Sequence, residues 1–139
     1  MCVFSIMKSR PYNKMRKDYT IASRCSCEER NKPSFDQYVE TAKKHANKSN
    51  LLQKHCALLL YRGQILSIGI NYHIPGSSVH AEVDAINKAK KKNKNLLKYC
   101  TMIVIRINQN DWTCKLSTPC DNCSKHIARA GIKNVYFSV

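Results

Sequence analysis

Two short segments of this sequence constrain its fold more than any other feature, because together they offer three ligands for one metal ion. The first segment is His80-Ala81-Glu82, and the second is Pro119-Cys120-Asp121-Asn122-Cys123. One imidazole and two thiolates, from His80, Cys120 and Cys123, suit Zn²⁺ and leave its fourth tetrahedral position open, which is the arrangement of a catalytic site. The fold must therefore bring together two segments that lie far apart in the chain.

Glu82 favours a catalytic site over a purely structural one. It follows His80 by two positions, where its carboxyl can act as a general acid and base on water activated at the metal. A closed structural site would need a fourth protein ligand, which Cys114 could supply from the loop before the second segment. A structural site has no need of Glu82, so this residue indicates catalysis.

Apolar periodicity predicts alternating helices and strands over residues 34–139. A capping box of Ser34 and Gln37 begins the first helix, which is expected to run to about Lys48. We next expect a hairpin of strands at 56–61 and 65–71, a loop at 72–78, and a helix from about 80 to 92 that is capped by Ser77 or Ser78. A strand at 101–108 and a loop at 109–116 should follow. The last expected elements are a helix from Pro119, capped by Thr118 and ended by Gly131, and a strand at 135–139. This order, helix-strand-strand-helix-strand-helix-strand, predicts an α/β fold with helices packed on a mixed sheet of about four strands.

The N-terminal part of the chain differs from the rest in composition. Residues 1–33 are basic and irregular, with Pro11 and Pro33 as breakers, so we expect an N-terminal arm followed by one domain at 34–139. The net charge of +15 predicts attraction to phosphate, on a nucleotide or on a nucleic acid. Compositional drift is the alternative, because most of the basic residues are Lys, whereas Arg is the usual residue of phosphate-binding surfaces.

The cysteines and the hydropathy bear on the compartment. The chain has eight cysteines and no recognisable secretory signal, so we expect a reducing compartment, the cytoplasm or the nucleus, and no secretion. No segment approaches the ~20 apolar residues that cross a membrane. The cysteines outside the metal site are expected to be free thiols: Cys2, Cys25, Cys27, Cys56, Cys100 and Cys114. Cys25 and Cys27 could join a second metal site, but an isolated Cys-x-Cys pair is weak evidence for one.

The two segments resemble those of the cytidine/deoxycytidylate deaminase superfamily, in which His-x-Glu is followed by Pro-Cys-x-x-Cys. The resemblance extends from about Phe35 to the end of the chain and includes Gly69-Ile70-Asn71 and the stretch 130–136, the latter similar to the deoxycytidylate branch. It implies a three-layer α/β fold, Zn²⁺ as cofactor, and hydrolytic conversion of cytosine to uracil with release of ammonia. It also implies that Asn71 contacts the sugar or base and that the backbone amide of Ala81 contacts the base carbonyl.

The expected substrate is cytosine in a nucleoside or nucleotide of the CMP or dCMP type, and two alternatives stay open. The first is deamination of cytosine or adenine within RNA or single-stranded DNA, which the basic charge favours and the absence of an added C-terminal helix disfavours. The second is a non-catalytic, zinc-stabilised module that binds nucleic acid. Glu82 again discriminates, because the second alternative does not need it.

The last predicted strand raises the question of what covers its edge. Larger relatives continue beyond this strand with another helix and strand, whereas this sequence stops at Val139. An apolar edge with unpaired backbone groups invites pairing with another chain. We expect a second subunit of a homo-oligomer to cover it, because the superfamily commonly assembles; the alternative cover is the chain's own segment from Cys2 to Met7.

Overall fold

The computed structural model describes residues 4–8, 19–21 and 35–139 of the chain. The strands of this part are β1 (Phe4–Lys8), β2 (Tyr19–Ile21), β3 (Lys54–Tyr61), β4 (Gln64–Ile70), β5 (Tyr72–Ile74), β6 (Ser77–Val79), β7 (Thr101–Ile107), β8 (Cys114–Lys115) and β9 (Asn134–Ser138). The α-helices are α1 (Phe35–Ala46), α2 (Ala81–Asn93) and α3 (Asp121–Ala130), and a 3₁₀ helix covers Lys94–Tyr99. Every helix and strand expected from periodicity after residue 34 is present.

One mixed sheet organises these elements. Its strand order is β2-β1-β9-β7-β3-β4, and β8 also pairs with β7, which makes seven strands. The pair β7 and β9 is parallel, whereas β3 runs antiparallel to both of its neighbours. The expected four strands are therefore the centre of a larger sheet. The count was too low because β1 and β2 lie in the basic N-terminal stretch, and because β8 has only two residues.

The central strand β3 divides the core into two layers. Cys56, Leu58 and Leu60 belong to the apolar cluster beneath α1, whereas Ala57 and Leu59 belong to the cluster beneath α2 and α3. Successive side chains of a strand point to opposite faces of its sheet, so an apolar run without alternation is buried on both sides. Helices thus cover both faces of the sheet, and the predicted three-layer α/β fold is confirmed.

Local structure near the two motifs differs from expectation in four places. The segment predicted as a loop at 72–78 forms the hairpin β5–β6, and β8 lies inside the loop predicted at 109–116. Ser77 and Ser78 do not cap α2, because both pair with β5 and leave His80 as the N-cap residue. Thr118 likewise does not cap α3, whose N-cap is Cys120.

The end of α3 agrees with the prediction from its glycine. Gly131 is the C-cap residue, with a φ of 80° in the left-handed region. Its N–H donates to the carbonyls of Ala128 and Ile127. Glycine tolerates this conformation because it has no Cβ. The chain then turns directly into β9.

The edge of β9 is covered by the chain itself. β1 pairs antiparallel with β9 over its full length, from Phe4 opposite Ser138 to Lys8 opposite Asn134. Phe4 is 6% exposed, and its ring meets that of Phe35 edge-to-face, with 4.8 Å between ring centroids. A second subunit is therefore not needed at this edge, and the alternative cover is the one observed. Homo-oligomerisation and a domain boundary at residue 33 stay predictions.

Two further expectations concern the membrane and the cysteines. Within the described ranges, no helix is long and apolar enough to span a membrane. Cys56 and Cys100 are buried free thiols, as expected, and burial raises the pKa of Cys56 to about 12. Cys114 is disulfide-bonded, so its assignment as a free thiol was wrong. The expectations for Cys2, Cys25 and Cys27 lie outside the described residues.

Candidate active site

The fold brings the two motifs together at the N-terminal ends of α2 and α3. The ligand atoms of His80, Cys120 and Cys123 all lie within 4.8 Å of one another. Nδ1 of His80 is 3.2 Å from Sγ of Cys123 and 3.6 Å from Sγ of Cys120. The three side chains predicted as metal ligands therefore lie together in the fold.

The donor set fits a zinc ion. Nitrogen and sulfur ligands of a tetrahedral zinc, at their usual bond lengths, lie about 3.5 Å apart, close to both observed nitrogen–sulfur distances. Burial, followed by the neighbouring Glu82 carboxylate, raises the pKa of the Cys123 thiol. A thiolate at this buried position therefore needs a compensating cation, and metal coordination deprotonates a thiol outright.

The two helix ends add to this electrostatic fit. Cys120 caps α3, and its sulfur accepts the N–H of Cys123 at 3.4 Å. His80 caps α2 through its backbone, since its carbonyl accepts the N–H of Asp84 at 3.0 Å. The N-terminal end of a helix carries a partial positive charge, which favours a thiolate over a thiol. Both motifs thus present their donors where negative charge is stabilised.

Gly69 on β4 allows α2 to approach the sheet closely enough to place His80. A Cβ at this position would lie 2.1 Å from the carbonyl oxygen of Ala81 and 2.3 Å from the backbone nitrogen of Ala85. Only a residue without a side chain fits there. The hydroxyl of Ser67 on the same strand donates to the carbonyl of Ala85 at 2.8 Å, which fixes the contact.

Charged side chains of α2 also cover the open edge of β4. Asp84 Oδ2 accepts the backbone N–H of Ile70 at 3.1 Å and lies 2.8 Å from Nζ of Lys88. Lys88 donates to the carbonyl of Ile68 at 3.1 Å, and Lys92 donates to that of Leu66 at 2.7 Å. The spacing of four residues between Lys88 and Lys92 is the sequence signal that could have shown this role.

The second motif is anchored by two buried serines. Ser117 donates to the carbonyl of Val104 on β7 at 2.9 Å and accepts the N–H of Ser138 on β9 at 2.8 Å. The hydroxyl of Ser138 donates to the carbonyl of Lys115 at 2.6 Å. This network ties the segment before Cys120 to two strands. Sequence reasoning missed it, because no local pattern links residues so far apart.

A cavity of about 470 Å³ opens beside the three converging ligands. This volume is within the usual range of pockets for small molecules and cofactors. Its lining residues come from the loop before β3, the end of β4, the hairpin β5–β6 and the starts of α2 and α3: Leu51, Leu52, Gln53, His55, Asn71, Ser78, His80, Ala81, Glu82, Thr118 and Cys120. The residues predicted for catalysis and for substrate contact, Glu82, Asn71 and Ala81, all lie on its wall.

Glu82 combines burial with access to this cavity. It is 5% exposed, and burial raises the pKa of its carboxyl, opposed in part by its own backbone, by His80 and by Cys123. Burial penalises the charged form, and a carboxyl with a raised pKa is suited to hold a proton and release it. Its location and raised pKa are compatible with the role of general acid and base, which stays a prediction.

Asn71 makes hydrogen bonds within the protein that its predicted role in substrate binding does not require. Its Oδ1 accepts the backbone N–H of His55 at 2.8 Å, and its Nδ2 donates to the carbonyl of Gln53. Its own carbonyl accepts the hydroxyl of Ser49 at 2.7 Å. The residue therefore organises the loop before β3 as well as facing the cavity, and its contact with a sugar or base stays a prediction.

His55 is a cavity residue that sequence reasoning missed. It lies near the start of β3, opposite Arg106 of β7 in the sheet register. No motif includes it, and in the sequence it is one of several histidines without a distinctive spacing. The one sequence signal for His55 was its position as a polar residue at the start of a mostly apolar strand.

Cys114 does not supply a fourth ligand. Among the described residues, the group of potential metal ligands contains His80, Cys120 and Cys123 alone, and Cys114 is disulfide-bonded. A closed structural site requires four protein ligands. The described site therefore has the three-ligand form.

Comparisons with known proteins agree with this fold and with the convergence of the two motifs. Residues 28–139 match the family described as "Cytidine and deoxycytidylate deaminase zinc-binding region". The chain belongs to this family, and hence to an enzyme superfamily of deaminases. The resemblance inferred from the motifs is confirmed.

Solved structures provide a second comparison. The dCMP deaminase of cyanophage S-TIM5 in apo form is 25% identical, with a TM-score of 0.56, and the alignment covers 70% of this chain and 75% of that one. The same enzyme in complex with dCMP and dUMP is 23% identical, with a TM-score of 0.54 and the same coverage of both chains. No curated protein matches the sequence significantly.

Proposed function

We propose that this protein is a zinc-dependent hydrolytic deaminase that converts cytosine to uracil in a nucleoside or nucleotide and releases ammonia. The observation that carries the proposal is the placement of Glu82, a buried carboxyl on the wall of a cavity that also contains the proposed ligands His80 and Cys120. A structural metal site gains nothing from such a carboxyl. Membership of the deaminase family supports the same conclusion.

The chain's own residues have separate tasks in this reaction. His80, Cys120 and Cys123 would hold the zinc ion, which when bound supplies a Lewis acid that lowers the pKa of water toward neutrality. Glu82 takes one proton from the attacking water and passes it to the ring nitrogen, then takes the second proton from the hydroxyl group now on the base and passes it to the departing amine, so that its carboxylate is regenerated. The raised pKa of Glu82 suits both halves of this task. The backbone amide of Ala81, at the start of α2, is proposed to bind the base carbonyl.

A cytosine nucleotide of the dCMP type is the favoured substrate. The cyanophage S-TIM5 enzyme to which this chain is similar in fold is a dCMP deaminase, and the net charge of +15 favours an anionic ligand. The same charge also fits the alternative substrate, cytosine or adenine within RNA or single-stranded DNA. A free nucleotide and a nucleic acid strand differ in size, so a panel containing both kinds of substrate separates the two hypotheses.

The test is release of ammonia from cytidine, deoxycytidine, CMP, dCMP and short single-stranded oligonucleotides. We expect turnover of at least one mononucleoside or mononucleotide, loss of that turnover in a metal chelator, and its return when zinc is added. Glu82→Gln keeps the size of the side chain and removes its acid, so it should retain zinc and lose at least about 10³-fold in kcat. Zinc-loaded protein that is inactive on all free substrates contradicts the proposal, and activity on oligonucleotides alone favours the alternative.

A further inference from the structure

His55 is the cavity residue without a role in the proposed chemistry. Its backbone belongs to β3, and its half-buried side chain lines the cavity that also contains Glu82. A side chain fixed on a strand is held more rigidly than one on a loop, which favours precise contact with a ligand. The position of its ring nitrogens decides what such a contact can be.

Asn71 determines the environment of the His55 ring. The backbone N–H of His55 can only donate, so the side-chain atom of Asn71 that faces it at 2.8 Å is the oxygen Oδ1. The amide nitrogen Nδ2 therefore faces the other way, donating to the carbonyl of Gln53 and lying 3.4 Å from Nδ1 of His55. An amide nitrogen carries two hydrogens, one for each of these acceptors.

This arrangement selects one tautomer of His55. The carbonyl of Gln53 lies 3.4 Å from Nδ1 and could accept a hydrogen from it. In that case Nδ1 and the Asn71 nitrogen, 3.4 Å apart, would face each other as two donors. With Nδ1 as an acceptor instead, each of these groups has a matched partner and the ring hydrogen is on Nε2. Burial also lowers the pKa of His55, in keeping with a neutral ring.

We propose that His55 is a substrate-binding residue whose Nε2–H donates a hydrogen bond to an oxygen of a pyrimidine nucleoside in the cavity. Asn71 is then a positioning residue that acts through His55 by fixing its tautomer and orientation. The proposal deepens the proposed function and rests on it for the class of ligand. The acceptor is an oxygen of the base or of the sugar, and a comparison of ribose and deoxyribose probes separates the 2′ oxygen of the sugar from the others.

The experiment measures binding and not turnover, so that it can fail independently of the proposed activity. Uridine and 2′-deoxyuridine serve as probes, because a deaminase product is not consumed. Calorimetric affinities are compared among zinc-loaded wild-type protein, His55→Ala, His55→Gln and the control His45→Gln, which changes a histidine of α1 that does not line the cavity. Zinc content and melting temperature are recorded for each variant, and ammonia release from cytidine is followed in parallel.

We expect His55→Ala to weaken binding about fivefold to tenfold, the usual effect of one lost hydrogen bond. His55→Gln, whose amide can still donate, should recover part of the loss, and His45→Gln should bind like the wild type. A loss confined to uridine identifies the 2′ oxygen as the acceptor, and an equal loss for both probes identifies another oxygen of the base or sugar. In ¹⁵N spectra, His55 of the wild type should show the Nε2–H tautomer.

Three results would overturn the assignment of His55. They are an unchanged affinity in His55→Ala, a parallel loss of zinc or melting temperature in that variant, and binding of neither probe by the wild type. Absence of ammonia release from the wild type contradicts the proposed function alone, because uridine binding does not depend on it.

Discussion

The helix that carries His80 and Glu82 contacts the sheet along its length, whereas the short segment between β8 and Cys120 is held mainly through the backbone and hydroxyl of Ser117. α2 contacts β4 through the close approach at Gly69, the hydroxyl of Ser67 and the carboxylate of Asp84. The segment before α3 depends on the hydrogen bonds of Ser117 and on the hydroxyl of Ser138. A helix held by many contacts tolerates the loss of one of them, whereas a segment held by one small network of hydrogen bonds does not. The two sides of the metal site should therefore respond differently to substitution.

The largest effect is expected from the proposed ligands themselves, because the loss of one ligand removes the metal from both sides of the site. Cys120→Ser and Cys123→Ser should each reduce zinc from about one ion per chain to a small fraction, and should lower the melting temperature, because metal affinity is coupled to folding. Plasma mass spectrometry and calorimetry measure the two quantities. Cys56→Ser, which changes a buried free thiol outside the site, is the control and should keep its zinc. Full zinc retention in both ligand variants would show that these cysteines do not bind the metal.

The next largest effect tests the close approach of α2. Gly69→Ala places a methyl group against the backbone of Ala81 and Ala85, so the helix must move, at a cost of about 3 kcal/mol or more. Chemical denaturation should show this loss, together with weaker zinc binding, because His80 moves with the helix. Gly76→Ala is the control, since its added methyl group meets open space and only its φ of +76° is strained. It should cost about 1–2 kcal/mol and keep its zinc affinity. Equal effects of the two variants would mean that α2 is not held by this contact.

A smaller effect distinguishes the two modes of attachment directly. Ser117→Ala leaves the buried N–H of Ser138 without its acceptor, which should cost about 2 kcal/mol. Ser67→Ala removes a donor to a helix carbonyl, and we expect about 1 kcal/mol because the neighbouring contacts of α2 remain. Denaturation midpoints and zinc affinity should both fall more in Ser117→Ala. The reverse order would contradict the view that the second motif has the more concentrated support.

The same two regions show what sequence could predict. The ligand set and the helices that carry it follow from short-range patterns, since His80, Cys120 and Cys123 need a metal-binding spacing and the helices need only periodicity. The close approach at Gly69 was visible as part of a family-like segment, Gly69-Ile70-Asn71, although its physical reason appears only with α2 in place. Short-range sequence patterns were therefore sufficient to predict which side chains lie together at the centre of the candidate site.

The features that were missed depend on pairing between distant parts of the chain. Ser117 meets Ser138 across the sheet, and His55 acquires its environment from Asn71. The strand β1 lies in a basic stretch and is stabilised by β9. None of these partners is close enough in sequence to leave a periodic signal, so tertiary structure overrides the local expectation.

The smallest effect is expected at the far end of α2, where attachment is most redundant. Lys92 donates to the carbonyl of Leu66 from an exposed position, and Lys88 makes a similar contact one helical turn earlier. Lys92→Ala should therefore cost no more than about 1 kcal/mol, compared with near zero for the matched control Lys90→Ala on the same helix. The Lys92→Ala substitution also removes one of the side chains that cover the outer edge of β4. An uncovered strand edge favours association between chains. We expect Lys92→Ala to keep zinc and to show slightly faster aggregation on heating than Lys90→Ala, measured by light scattering. A loss of stability as large as that of Ser117→Ala would mean that α2 depends on this single contact, and the contrast between the two sides of the site would then be wrong.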